Sequence, residues 1–199
     1  PAIARACRDA LAALERDGAT LVPVHVPLAR HATALGVATV GAEGAALSRA
    51  LAPGLAAQLS EDVRLAMRVG GDLSAGEYLD LQRLRGGLAQ QLAQVLTQVD
   101  VLASATVATG APRLPPQATD GGAADGDMVA ALCRQTFMAN LTGVPAGTVP
   151  VGVDGDGVPI GLQLVGDAGD EAGVLAVMAH LERLGFTARC APGALDLLG

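Results

Sequence analysis

Residues 140 to 166 read NLTGVPAGTVPVGVDGDGVPIGLQLVG, and Gly or Pro recurs every two to four residues among mostly apolar neighbours. A helix cannot run through this stretch, because each proline removes an amide donor and its ring clashes with the preceding turn. A solvated loop is seldom so rich in Val, Ile and Leu. With Gly and Pro set aside, two strands remain, over 146–153 and 158–165. Asp154-Gly155-Asp156-Gly157 lies between them and supplies residues that tolerate positive φ, as a tight turn requires. The segment predicts a β-hairpin. Its glycines admit two readings: close packing of sheet against helix, or backbone that lines a ligand pocket.

The rest of the chain alternates helical and strand patterns. Ile3, Cys7, Leu11 and Leu14 share one helical face, and Gly18 is placed to stop that helix. The chain begins without Met and almost inside this helix, so it reads as the continuation of something longer. TLVPVHVP (20–27) alternates like a strand and closes on Pro27. Residues 28–70 are Ala-rich and read as helix in two or three pieces, broken near Pro53-Gly54. Ser74 and Glu77 have capping-box spacing. Leu81, Leu84, Leu88, Leu92, Val95 and Val99 then recur every three or four residues, predicting a long, well-buried helix. A buried strand follows over 99–107, a Gly/Pro/Asp-rich loop over 108–126, and a helix over 127–139. Beyond the hairpin, a last helix spans 170–184 and ends at Gly185. The order points to α/β layers, with helices packed on part of a mixed β-sheet. Residues 1–199 show no internal domain boundary and no repeat.

Composition narrows the function. Of 199 residues 51% are hydrophobic, enough for a large core, and that core is aliphatic because there are one Tyr, two Phe and no Trp. A net charge of −7, no basic stripe and few rings exclude nucleic acid as a partner. No uninterrupted apolar span or signal-like start points to a membrane. Cys7, Cys133 and Cys190 are odd in number and far apart, which fits free thiols in a reducing cytoplasm. All 13 basic side chains are arginine, so the chain has no lysine. Schiff-base, P-loop and Ser-x-x-Lys chemistry are closed to it.

Order and spacing say more. Asn140, Gly143-Val144-Pro145-Ala146, Val149-Pro150-Val151-Gly152 and Gly157-Val158-Pro159-Ile160-Gly161-Leu162-Gln163 closely resemble the C-terminal signature of the amidase signature family. That signature runs N-x-x-G-x-P-A, then x-P-x-G, then G-x-P-x-G-x-Q. Gly18-Ala19, Glu43, Leu73-Ser74-Ala75 with Tyr78 and Arg85, Asp100-Val101-Leu102 and Ala111-Pro112 fit the same family in the same order. The resemblance covers nearly the whole chain. It implies the C-terminal portion of the amidase fold and, for the complete enzyme, hydrolysis of an amide C–N bond.

Enzymes of this family use a Ser–cis-Ser–Lys triad and an oxyanion hole of backbone amides, all in the N-terminal half. Here no lysine exists, and Ser48, Ser60, Ser74 and Ser104 stand isolated, without a Gly-Gly-Ser-Ser-Gly loop. The resemblance therefore implies a pocket-building half that is inactive by itself. Its expected partner is the missing N-terminal catalytic half, in the same polypeptide or in a separate one, or else another copy of this chain. The other class of function is a stand-alone, non-catalytic binding module for small molecules. Ala105 and Ala108 replace family prolines around Thr106. Cys133 stands where the amidotransferase branch tends to be acidic, which favours a simple amide or urea-like substrate over glutamine. Asn140, Gln163, Thr136 and Arg64 are the expected residues of the pocket wall; for Asn140 and Gln163 the alternative is that their amides tie the hairpin to backbone. Arg64 and Arg68 can reach a substrate carboxylate or sit on a surface helix.

Other motifs carry less. Cys133 with His180 or His25 has no supporting spacing as a nucleophile–base pair, and His25 and His31 do not form a metal pattern. Asp154, Asp156, Asp167, Asp170 and Glu171 match no EF-hand order and suit turns and a helix start. No G-x-G-x-x-G opens a helix after a strand. No cofactor or metal is expected.

Overall fold

A computed structural model describes residues 2–51, 54, 58–112 and 126–187. They gather in two compact units, one from residues within 1–23, 99–106 and 144–199, the other from 24–98 and 107–143. Among the described residues, no helix is long and apolar enough to cross a membrane.

The first unit is a three-stranded sheet with two helices. Strands β1 (Leu102–Ala105), β2 (Ala146–Val153) and β3 (Pro159–Val165) lie in the order β1-β3-β2, and both pairings are antiparallel. The predicted hairpin forms over the expected residues. Asp154 shapes its turn: the Oδ1 accepts the amides of Asp156 and Val158, each at 2.9 Å, while Gly157 takes φ +81°. Pro150 has no amide to donate, and the register shifts between Pro150 and Gly152, as a bulge next to a strand proline allows.

Helices α1 (Ala2–Arg16) and, at the other end of the chain, the helix over Glu171–Arg183 pack on this sheet. Cys7, Ala10 and Leu14 of α1 join Val149, Ile160, Leu162, Leu164, Val174 and Leu181 in one buried cluster. Leu162 and Leu164 have no exposed surface, and burying each contributes roughly 2 kcal/mol. The Glu171–Arg183 helix starts where Asp170 accepts the Gly173 amide and ends before Gly185 at φ +95°. Its His180 meets Asp17, just past α1, at 2.7 Å.

The second unit is helical. A 3₁₀ turn (Pro27–His31) leads into α2 (Ala32–Leu51), α3 (Glu61–Gly71) and α4 (Ala75–Leu96); α5 (Gly126–Cys133) and α6 (Thr136–Thr142) follow, and the Glu171–Arg183 helix becomes α7. The small residues of α2 permit close approaches. A Cβ on Gly36 would fall 2.2 Å from the Phe137 ring, and one on Gly70 of α3 would fall 2.0 Å from the Gly41 carbonyl carbon. The α2–α3 crossing is thus glycine against glycine, backbone on backbone. Ala32, Leu35, Leu88 and Leu141 centre the core of this unit.

Three expectations change. Residues 20–26 form no strand, and Leu21, Val22 and Val24 are exposed. Alternation supplies side chains for two faces, but a strand also needs a hydrogen-bonding neighbour, and the described residues place none there. The long helix stops at Leu96, and it is buried only from Leu88 onward, with Leu84 45% exposed. The helix predicted over 127–139 is broken at Arg134-Gln135 into α5 and α6. The described part of the sheet is antiparallel throughout, and helices pack on it as expected. The break near Gly54 does separate α2 from α3; Pro53, most of the 108–126 loop and Cys190 lie outside the described residues.

Two helical glycines give opposite outcomes for one substitution. Gly70→Ala lowers stability by about 1–3 kcal/mol, because backbone cannot yield to a Cβ, whereas Gly86→Ala, with nothing within 4 Å, raises it by up to about 1 kcal/mol. Urea midpoints of the two variants check the sign. The capping box adds a pH dependence. The Ser74 amide, and then its hydroxyl, hydrogen-bond the Glu77 carboxylate and hold its pKa below the ordinary range. A lowered folded-state pKa means stabilisation that is complete above the ordinary glutamate value, about 4.3, and lost as pH falls through the lowered one. The Tm advantage of the wild type over Glu77→Gln is expected to shrink on acidification through that window.

Candidate functional site

Register places a polar row on the sheet. Ser104 pairs with Gln163, and Gln163 pairs with Thr148, so the three side chains share one face across β1, β3 and β2. The intervening residues Leu162 and Leu164 point to the other face, into the α1–α7 core. Gln163 is only 4% exposed, a carboxamide held among β-strands. One step further along, the Thr106 amide donates to the Gly161 carbonyl at 2.9 Å. The Thr106 and Thr148 hydroxyls meet at 3.1 Å across Gly161. A Cβ on Gly161 would lie 2.6 Å from Thr148 Cγ2 and 2.7 Å from Thr106 Oγ1. Gly161 is therefore required for the threonines to meet. Among the described strand residues, this face offers hydroxyls and a carboxamide but no ionisable group. It can hydrogen-bond an amide, and it cannot itself act as an acid or base near neutral pH.

The second unit holds the other expected residues. Thr136 and Asn140 are four apart on α6 and so share a face. Asn140 is exposed, while the half-buried Thr136 donates its hydroxyl to the Cys133 carbonyl at 3.3 Å, across the break between α5 and α6. Gly143 ends α6 at φ +74°. Arg85 donates Nε to the Leu141 carbonyl, 2.5 Å away, and Nη1 to Gln82, so a cation from α4 holds the C-terminal end of α6. Nearby on α4, the Tyr78 hydroxyl donates to Glu43 at 2.8 Å, and this bond, with some burial, raises the phenol's pKa. Arg64 lines an open cleft between α2 and α3.

The structure thus joins Thr136 with Asn140, puts Arg64 on a separate helix of that unit, and sets Gln163 in the sheet of the other. Thr148 and Thr106 were not singled out from the sequence. The hairpin turn gives the β2–β3 register that pairs Thr148 with Gln163, but nothing local announces that β1 lies on the far side of β3.

Cys7 is buried, which pushes its thiol up, and its Sγ lies 4.0 Å from the Gly161 oxygen. His180 faces Asp17, and His31 accepts from Arg30. Among the described residues, no three His, Cys, Asp or Glu side chains are grouped to hold a metal. Asp154, Asp167 and Asp170 serve turns and a helix start.

Comparison with known proteins agrees with this geometry. The amidase family model matches residues 1–175. A fatty acid amide hydrolase of Medicago truncatula is 33% identical over 196 residues, covering 97% of this chain and 32% of the relative. A glutamyl-tRNA(Gln) amidotransferase chain of Rhizorhabdus wittichii is 35% identical over 155 residues, 74% of this chain and 30% of the relative. The crystal structure of the corresponding glutamyl-tRNA(Gln) amidotransferase chain of Thermotoga maritima superposes with a TM-score of 0.71 at 25% identity, covering 92% of this chain and 38% of that one. The chain spans about a third of the length of the curated relatives it matches. With the hairpin, its glycines and Gln163 in the places the signature requires, the chain belongs to the amidase signature family.

Proposed function

We propose that this chain is the C-terminal, pocket-building portion of an amidase-type hydrolase and is inactive by itself. The observation that carries the reading is the family match over residues 1–175 in a chain with no lysine. The nucleophile and base of amide hydrolysis then come from a catalytic half, in the same polypeptide or in a separate one. Residues 1–199 act as one portion without an internal domain boundary. In support, the chain passes between the two units four times, so no single linker separates them. The free thiols Cys7 and Cys133 suit a cytoplasmic location.

Gln163, Asn140, Thr136 and Arg64 contribute to the pocket wall. The row around Gln163 is neutral and rich in hydroxyls, which supports an uncharged amide group as the part of the substrate held there. The relatives include proteins named for fatty acid amide hydrolysis and for glutamyl-tRNA(Gln) amidotransfer. The Cys133 position supports a simple amide.

Native mass spectrometry on the protein from its own source, with ammonia release from hexanamide assayed on the same sample, tests this. The chain is expected within a larger polypeptide or complex that releases ammonia, while the purified 199-residue chain releases no more than buffer. An isolated, monodisperse and inactive chain in its source would instead support the binding-module reading. In the active assembly, Thr148→Val keeps the β-branched shape and removes one hydroxyl, so KM is expected to rise about fivefold with Tm unchanged.

A further inference from the structure

Among the described residues, the half-buried Arg85 has no carboxylate within ion-pair distance. Its guanidinium is directed at two neutral oxygens instead, Nε at the Leu141 carbonyl and Nη1 at Gln82 Oε1, 3.2 Å away. The second bond leaves a defect. With its oxygen turned to Arg85, Gln82 keeps its Nε2 buried and, among the described residues, without an acceptor. A buried donor left unpaired is destabilising, so the aim of the guanidinium is what this arrangement secures. Tyr78, Gln82 and Arg85 follow one another at steps of four and three and share one face of α4. At one end of that face the Tyr78 hydroxyl is bonded to Glu43 of α2, and at the other Arg85 is bonded to α6. Helix α4 thus sets α6 against α2 inside the second unit.

What Arg85 holds is the last turn of α6, where Asn140 stands. The Thr142 hydroxyl donates to the Met138 carbonyl at 2.8 Å, and the Gly143 amide donates to the Ala139 carbonyl at 2.9 Å. Asn140 is therefore bracketed by held peptides, and of these three bonds only that of Arg85 comes from another helix. Leu141 is 6% exposed, so a carbonyl deprived of Arg85 would find little water. Asn140 is exposed, and among the described residues its carboxamide makes no hydrogen bond. It offers both a donor and an acceptor, the complement of an amide group. We propose that Arg85 is a positioning residue: through the Leu141 carbonyl it fixes the last turn of α6, and so the direction in which Asn140 offers its carboxamide to the substrate amide. The proposal rests on the reading of Asn140 as pocket wall in an amidase-type hydrolase. Lysine does not replace Arg85, because an ammonium on a flexible stem does not hold two acceptors in the fixed directions of a planar fork.

Steady-state ammonia release from hexanamide by the active assembly tests it, together with hydrogen exchange of the segment 137–143 read by mass spectrometry on the same assembly. Asn140→Ala is expected to raise KM about fivefold, the worth of one hydrogen bond, with kcat unchanged. Arg85→Lys is expected to raise KM about threefold and to quicken exchange over 137–143. In the Asn140→Ala background it adds nothing to KM, because an effect that runs through Asn140 ends when that side chain is gone. Gln82→Leu removes the oxygen that aims the guanidinium together with the unpaired donor, so it carries the test where Arg85→Lys fails to fold. Its KM is expected to rise about twofold with Tm unchanged, and this rise too vanishes without Asn140. Arg83→Lys, in an exposed pair with Asp80, alters neither KM nor exchange. A KM rise of equal size with and without Asn140, or exchange over 137–143 left at the wild-type rate in Arg85→Lys, overturns the proposal and leaves the amidase reading standing. If Asn140→Ala leaves KM unchanged, the pocket-wall role of Asn140 falls and this proposal with it. An assembly that releases no ammonia counts against the amidase reading, and exchange in Arg85→Lys then decides whether Arg85 fixes the turn.

Discussion

The β3 strand depends on being hydrogen-bonded along both of its edges, and most of the first unit follows from that. β2 reaches it through a turn held by Asp154 and Gly157, and β1 reaches it from more than fifty residues upstream. Once β3 lies between them, its alternation divides the sheet into two chemistries. Leu162 and Leu164 face the core under α1 and α7, and Gly161 and Gln163 face the other way. A slip of one residue would bury the carboxamide among leucines and expose the leucines, so the core itself holds Gln163 in register.

Glycine has three different jobs here, and each rests on a different physical term. At Gly157 and Gly143 it supplies a backbone region that costs other residues energy. At Gly41 and Gly70 it removes side chains so that two helix backbones can touch. At Gly161 it opens the space in which Thr106 and Thr148 meet. The density of glycine and proline in the 140–166 stretch is therefore part packing and part access to a polar face. The close-packing reading left open by the sequence describes Gly161, where a Cβ would meet Thr148 and Thr106.

Function divides along the same line as chemistry. A chain with thirteen arginines and no lysine can bind, orient and counter charge, but it has no amine to serve as a base. Among the described strand residues, its polar sheet face carries neutral groups. The family to which it belongs and the third of its relatives' length that it spans are what the proposed pocket-building role starts from.

What the sequence determined by itself was local. The hairpin, its turn, the capping box at Ser74 and Glu77, and the ends of α1 and α7 at Gly18 and Gly185 are set by residues within a few positions of one another. Turn geometry and helix periodicity act over that range, so the residues announce them. Tertiary structure decided the rest. The strand expected over 20–27 needed a neighbour that sequence alternation does not supply. The front of α4 carries the same leucine spacing as its buried back, yet Leu84 is exposed because periodicity marks a face without saying what covers it. The family signature pointed to Gln163, but its companions Thr148 and Ser104 emerge only when β1 and β2 flank β3. The bond from Arg85 to the Leu141 carbonyl likewise waits on α4 packing beside α6. Local rules choose which elements form; which side chains come to share a face depends on contacts between residues far apart in the chain.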